Sequence, residues 1–112
     1  MDKLLSNDNK VQKYIQKIIE EIKQYQPEKI ILFGSRARGN NKPNSDIDIA
    51  LDINLDFRKK RKLKERIDQI SGLYSVDLIF LQDTTDNFKE KILKEGIILY
   101  EKNRSLNKNS KF

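Results

Sequence analysis

The chain has 112 residues, of which 37% are hydrophobic and 36% charged, with a net charge of +6. That length supports one modest core, expected as a single domain over residues 1–102 followed by a flexible tail at 103–112. With no Cys and no His, disulfides, zinc or iron–sulfur centres on those ligands, thiol nucleophiles and a Ser-His-Asp triad are all excluded.

Any chemistry therefore falls to carboxylates, hydroxyls, Lys, Arg and backbone amides. Carboxylates without soft ligands suit Mg²⁺, Ca²⁺ or Mn²⁺. Without His, no imidazole-like break in activity is expected near pH 6.5. The longest apolar runs, IILF and GIILY, fall far short of the roughly 20 residues that cross a bilayer. The first residues, MDKLLSNDNK, lack the apolar stretch of a secretion signal, so a soluble cytoplasmic protein is expected.

In chain order, residues 8–26 place Val11, Tyr14, Ile15, Ile18, Ile22 and Tyr25 at three- and four-residue steps. This spacing predicts an amphipathic helix, with Asp8 as N-cap and Pro27 ending it. EKIILF, residues 28–33, is a short β-branched apolar run and predicts a strand buried on both faces. Residues 34–45 are turn-rich. SDIDIALDI alternates, with Ile47, Ile49, Leu51 and Ile53 on one side and Asp46, Asp48, Ala50 and Asp52 on the other. Residues 56–71 form a basic helix with Phe57, Leu63, Ile67 and Ile70 expected inward and Gly72 at its C-terminal end. YSVDLIFL predicts a third strand. TTDNFKEKILKEG predicts a helix capped by Thr85 or Asp86 and stopped at Gly96, and IILYE a fourth strand. The order α-β-β-α-β-α-β predicts an α/β domain, a mixed four-stranded sheet with helices packed on it.

Strand ends carry the functional reading. Gly34 and Ser35 close the first strand; Asp46 and Asp48 open the second. If those strands are antiparallel neighbours, the two ends coincide. A helical crossover normally joins parallel strands, which brings Asp77 at the start of the third strand to the same edge. Asp46 and Asp48 share a face, about 6.5–7 Å apart at ~3.3 Å per residue. Three clustered acids repel unless a cation sits among them. Asp46 and Asp48 could bridge two metals about 3.5–4 Å apart, with Asp77 on one of them, a device for phosphoryl or nucleotidyl transfer. The Gly34-Ser35 turn offers backbone N–H groups and a hydroxyl to a triphosphate, with Arg36 and Arg38 adding charge. GSRARGNN is not a P-loop, Gly34 and Gly39 do not make G-x-G-x-x-G, and DIDIALD lacks the central Gly of a calcium loop.

The pattern G-S-x10-D-x-D after an apolar strand, with a third Asp on a later strand, resembles the DNA polymerase β-like nucleotidyltransferases. GSRARG…SDIDIALD, VDLIFL and FKEKILKEGIILYEK look like the minimal members, over about residues 28–102. The resemblance implies the palm fold and transfer of a nucleoside monophosphate from ATP to a hydroxyl with two Mg²⁺. It further implies Asp46, Asp48 and Asp77 as metal ligands and catalytic carboxylates, Asp77 easing loss of the acceptor proton, and Gly34 and Ser35 holding the triphosphate. Minimal members occur as antitoxins in hetero-oligomers with a helical HEPN-domain ribonuclease toxin, which some adenylylate on tyrosine. Two alternatives stand beside this: an antitoxin that neutralises by binding alone, and a nucleotidyltransferase acting on a small molecule or nucleic acid. The basic run at 58–66 keeps nucleic acid in view without favouring it, and no membrane partner is expected.

Overall fold

Four apolar side chains of the first helix, Val11, Ile15, Ile18 and Ile22, are buried together, and each removes surface from water worth about 1.5–3 kcal/mol. They lie on α1 (Asn9–Lys23) in a computed structural model that describes residues 9–102. The following elements are β1 (Lys29–Phe33), α2 (Gly34–Arg38), β2 (Ile47–Asp52), α3 (Phe57–Ile70), β3 (Val76–Phe80), a 3₁₀ turn (Leu81–Asp83), α4 (Asp86–Glu95) and β4 (Ile97–Glu101). The expected cap at Asp8 and the expected tail at 103–112 lie outside the described residues.

The sheet is mixed, in the order β3-β2-β1-β4. β1 is antiparallel to both β2 and β4, and β2 is parallel to β3. The expected α/β architecture and its strand directions are therefore present. One face buries Ile30 and Leu32 of β1, Ile47, Ile49 and Leu51 of β2 and Leu78 and Phe80 of β3 with side chains of α1 and α3. The opposite face buries Ile31, Ala50, Leu81 and Ile92, the last from α4. β1 is thus covered on both sides, as its unbroken apolar run requires.

Three local expectations change. α1 ends at Lys23, before proline acts: the Tyr25 and Gln26 N–H groups donate to the Ile22 and Lys23 carbonyls, and Gln26 turns left-handed at φ 58°. Proline bars Gln26 from the helical region, but the last turn has already closed. Phe57 is 77% exposed rather than inward. It lies six residues before Leu63, about 240° away at 100° per residue, and so off the buried stripe. Finally, β3 spans Val76–Phe80, which leaves Tyr74 in the preceding turn.

The caps are legible. The Asp56 carboxylate accepts from the Lys59 N–H and starts α3. Thr85, not Asp86, caps α4, its hydroxyl accepting from the Phe88 N–H. Gly72 follows α3 at φ 68°, with the Tyr14 ring where a side chain would stand.

Candidate active site

β1 runs straight into Gly34, whose φ of 75° belongs to the left-handed region. The chain then makes the single short helix α2 and leaves it through Gly39 at φ 84°. Five residues show no periodicity, so the sequence reads as a turn where the structure forms a helix. A side-chain carbon on Gly34 would run into the Asp48 carboxylate. Gly34 is therefore fixed twice, by its backbone and by the acid facing it.

The register puts Phe33, Asp48 and Asp77 in one row across β1, β2 and β3. Paired residues on neighbouring strands lie about 4.8 Å apart and share a face. Asp46 lies two residues before Asp48 and so shares that face, the one that α4 covers further along. Asp46 and Asp77 are exposed and Asp48 is half-buried. The expected convergence of Gly34, Ser35, Asp46, Asp48 and Asp77 on one sheet edge is thus what the backbone delivers. The expected close carboxylate cluster is not preformed: among the described residues no three acidic groups are gathered as a ready-made cation cage. Mutual repulsion of bare carboxylates opposes such a cage.

That repulsion appears at Asp48. Its pKa is pushed up to about 6 by burial first, then by Asp77 and Asp46, while Arg38 and Arg36 pull it down. A group titrating near pH 6 is therefore present after all, as a carboxylate. The sign for stability follows. In the unfolded chain Asp48 titrates near 3.8, so folding favours its protonated form, and metal-free stability falls as pH rises from 4 to 6. Asp48→Asn removes the penalty, of the order of 1 kcal/mol after solvent screening. Its melting temperature should exceed that of the wild type at pH 7.5 in chelator and match it near pH 4. Equal melting at both values would show that Asp48 is not strained.

The surroundings fit a divalent cation. Every side-chain donor is a carboxylate oxygen, the donor type that Mg²⁺ takes. The cradle between Gly34 and Asp48 exists only because Gly34 has no side chain. Asp46, Asp48 and Asp77 would hold the ions.

The arginines divide. Arg36 is 5% exposed. Its Nε and Nη2 donate to the Ser45 carbonyl at 3.2 and 2.8 Å, and Nη2 donates to the Pro43 carbonyl at 3.1 Å. Its guanidinium lies 5.5 Å from the Tyr74 ring centre. The side chain offered as a phosphate ligand is instead occupied in holding the loop that leads to Asp46. Lys42 and Ser45 close the same loop, the Lys42 N–H donating to the Ser45 hydroxyl at 2.8 Å. Arg36→Ala should lower stability by about 1.5–3 kcal/mol, the worth of hydrogen bonds from a charged group. Lysine should not rescue it, because one ammonium cannot reproduce the fork. Thermal melting of both variants checks this; an unchanged midpoint in Arg36→Ala would contradict it. Arg38 remains exposed, 3.9 Å from the Glu95 carboxylate. It lines a cavity of about 170 Å³ with Gly34, Phe33, Phe88 and Lys91. Phe33 and Phe88 meet edge to face there at 6.0 Å.

Residues 16–105 match the family described as polymerase beta, nucleotidyltransferase. The chain belongs to this family. The match spans the strand-end acids and the glycine turn together, so the family's fold and reaction class apply to the domain that carries them. Among similar proteins is a Haemophilus influenzae protein named as a probable protein adenylyltransferase, MntA, 35% identical over 78 residues, 68% of this chain and 68% of its own length. The Methanocaldococcus jannaschii protein MJ1379, also named for protein adenylyltransfer, is 32% identical over 100 residues, 86% of this chain and 97% of its own length. A crystal structure of a toxin–antitoxin with AMP-PNP superposes with a TM-score of 0.64 at 29% identity, over 77% of this chain and 72% of that one. Two side chains near this edge escape sequence reasoning: Tyr74, because YSVDLIFL reads it into the third strand, and Tyr14, because its helical phase reads only as core.

Proposed function

We propose that this protein transfers AMP from ATP to a protein hydroxyl, a tyrosine of a HEPN-type ribonuclease toxin, and so acts as the antitoxin of that partner in a cytoplasmic hetero-oligomer. The observation that carries the reading is the row Phe33–Asp48–Asp77, with Gly34 shaped around the Asp48 carboxylate. The names of the relatives and the nucleotide analogue in the similar toxin–antitoxin complex support the choice of ATP and of a protein acceptor.

Two Mg²⁺, when bound, would neutralise the triphosphate and stabilise charge on the attacking and leaving oxygens. The chain's own residues do the rest. Backbone N–H groups at Gly34 and Ser35 face the triphosphate, and exposed Arg38 adds positive charge beside them. Arg36 keeps the loop in place so that Asp46 enters β2 on the correct face. The acceptor oxygen attacks the α-phosphorus, the bond to the bridging oxygen of the β-phosphate breaks, and pyrophosphate leaves in line. Asp77 accepts the hydroxyl proton. A protein that only binds has no use for three acids at one sheet edge, where the raised pKa of Asp48 marks a cost to stability.

ATP labelled at the α-phosphate, incubated with the protein, Mg²⁺ and partner, should place label on the partner. Label at the γ-phosphate should leave as pyrophosphate. Transfer of γ label would make the reaction a phosphorylation and contradict the proposal.

A further inference from the structure

Phe88, Lys91, Ile92 and Glu95 occupy one face of α4, spaced as i, i+3, i+4 and i+7. Ile92 is buried with Ile31 and Ala50 of the sheet, and Phe88 meets Phe33 edge to face. A helix that served the core alone would carry apolar side chains along the whole of this face. Lys91 and Glu95 interrupt it, and both line the cavity that reaches Gly34 and Arg38.

This cavity and the acids share a wall. A side-chain carbon on Gly34 would stand 3.0 Å from Cγ of Asp48. Phe33, also on the wall, pairs with Asp48 across the strands, about 4.8 Å away. Ile31 and Phe33 of β1 and Asp48 and Ala50 of β2 alternate onto one face, and that is the face where α4 buries Ile92. At about 170 Å³ the cavity falls below the roughly 300–1,000 Å³ of pockets that take a whole small ligand, so it fits one end of a nucleotide. Lys91 and Arg38 are the cations of its lining, and Glu95, 3.9 Å from Arg38, is the acid. Two cations beyond the glycine turn suit phosphate oxygens. Phe33 and Phe88 stand at 86° to each other, not as the parallel walls that would sandwich a base.

We infer that Lys91, together with Arg38, binds the terminal phosphates of ATP in this cavity and takes up the charge of pyrophosphate as it leaves. The inference rests on the proposed nucleotidyl transfer and names a residue outside the glycine turn that selects a triphosphate. As the acceptor oxygen bonds to the α-phosphorus, the bond to the bridging oxygen breaks and its electron pair goes to pyrophosphate. An ammonium and a guanidinium beside those oxygens stabilise the charge that develops on them. Glu95 positions Arg38 at the cavity. An exposed pair at 3.9 Å contributes little, so a polyphosphate displaces it.

The test is calorimetric titration of the full chain with ATP and with inorganic tripolyphosphate, each in Mg²⁺. Tripolyphosphate has no base, so it reads the phosphate end alone. Lys91→Gln should bind both ligands about tenfold or more weakly, the scale of a hydrogen bond to a charged group. Lys91→Arg should keep the binding. Lys89→Gln, which lies about 200° round the helix from Lys91, should leave it unchanged. Glu95→Gln, which removes the acid from the lining, should bind tripolyphosphate more tightly. Lys91 is exposed, and an unchanged melt without ligand confirms that each variant folds. No binding of tripolyphosphate to the wild type, equal affinities in Lys91→Gln and the wild type, or looser binding in Glu95→Gln would overturn the inference. So would a loss in Lys91→Gln confined to ATP, which would make the cavity a base site. Binding of both ligands that depends on Lys91, with no AMP transfer to any protein, would leave the phosphate site standing and overturn the proposed reaction. AMP transfer by a protein whose affinity for both ligands is indifferent to Lys91 would do the reverse.

Discussion

Asp48→Asn should abolish AMP transfer while leaving the fold intact. Asp48 stands at the centre of the row, with Phe33 on one side and Asp77 on the other, and Asp46 two residues away. Neutralising it removes charge that would hold the proposed cations, an electrostatic contribution of several kcal/mol to the transition state. About 4 kcal/mol corresponds to a thousandfold, so transfer should fall by roughly that factor or more. Asp46→Asn should behave alike. In most enzymes such a change would also threaten the core, but here it relieves repulsion, and the raised pKa of Asp48 says that the metal-free protein tolerates the loss. The measurement is transfer rate beside a thermal melt in MgATP and in chelator. The variants should melt at or above the wild type in chelator, and MgATP should raise the melting point of the wild type but not theirs. Full activity in Asp48→Asn would end the two-metal account.

Gly34→Ala should damage both activity and stability. Its φ of 75° costs a side-chain-bearing residue about 1–3 kcal/mol, and the added carbon collides with the Asp48 carboxylate. Either the carboxylate swings away or β1 and β2 part at that end. A displacement near 1 Å costs about a hundredfold in rate. For a domain of this size each kcal/mol lowers the melting temperature by about 4–8 °C. The expected result is a melting point lower by several degrees with transfer reduced at least a hundredfold. A Gly34→Ala protein with wild-type transfer would show that the close approach of Gly34 to Asp48 has no part in the reaction.

The reacting edge was legible because topology could be argued from connections. Antiparallel pairing of β1 and β2 across the turn-rich segment 34–45 was a condition of that reading, and a helix between β2 and β3 implied parallel pairing. The acids at 46, 48 and 77 then had to share one sheet edge. The family match spans the same residues. What stayed hidden was determined by groups that leave no trace in side-chain identity. The partners of Arg36 are the carbonyls of Pro43 and Ser45, which any residues would supply, so its burial could not be read. Phe57 is apolar and opens α3, but its phase, about 240° from Leu63, turns it out of the buried stripe.

The most direct test of the account is the intact mass of the proposed HEPN-type partner co-expressed with this protein, against the same partner co-expressed with Asp46→Asn/Asp48→Asn. The account predicts added mass of one or a few AMP units per partner chain with the wild type and none with the double variant. An unchanged partner mass, with its ribonuclease still silenced by the wild type, would contradict it and leave neutralisation by binding alone.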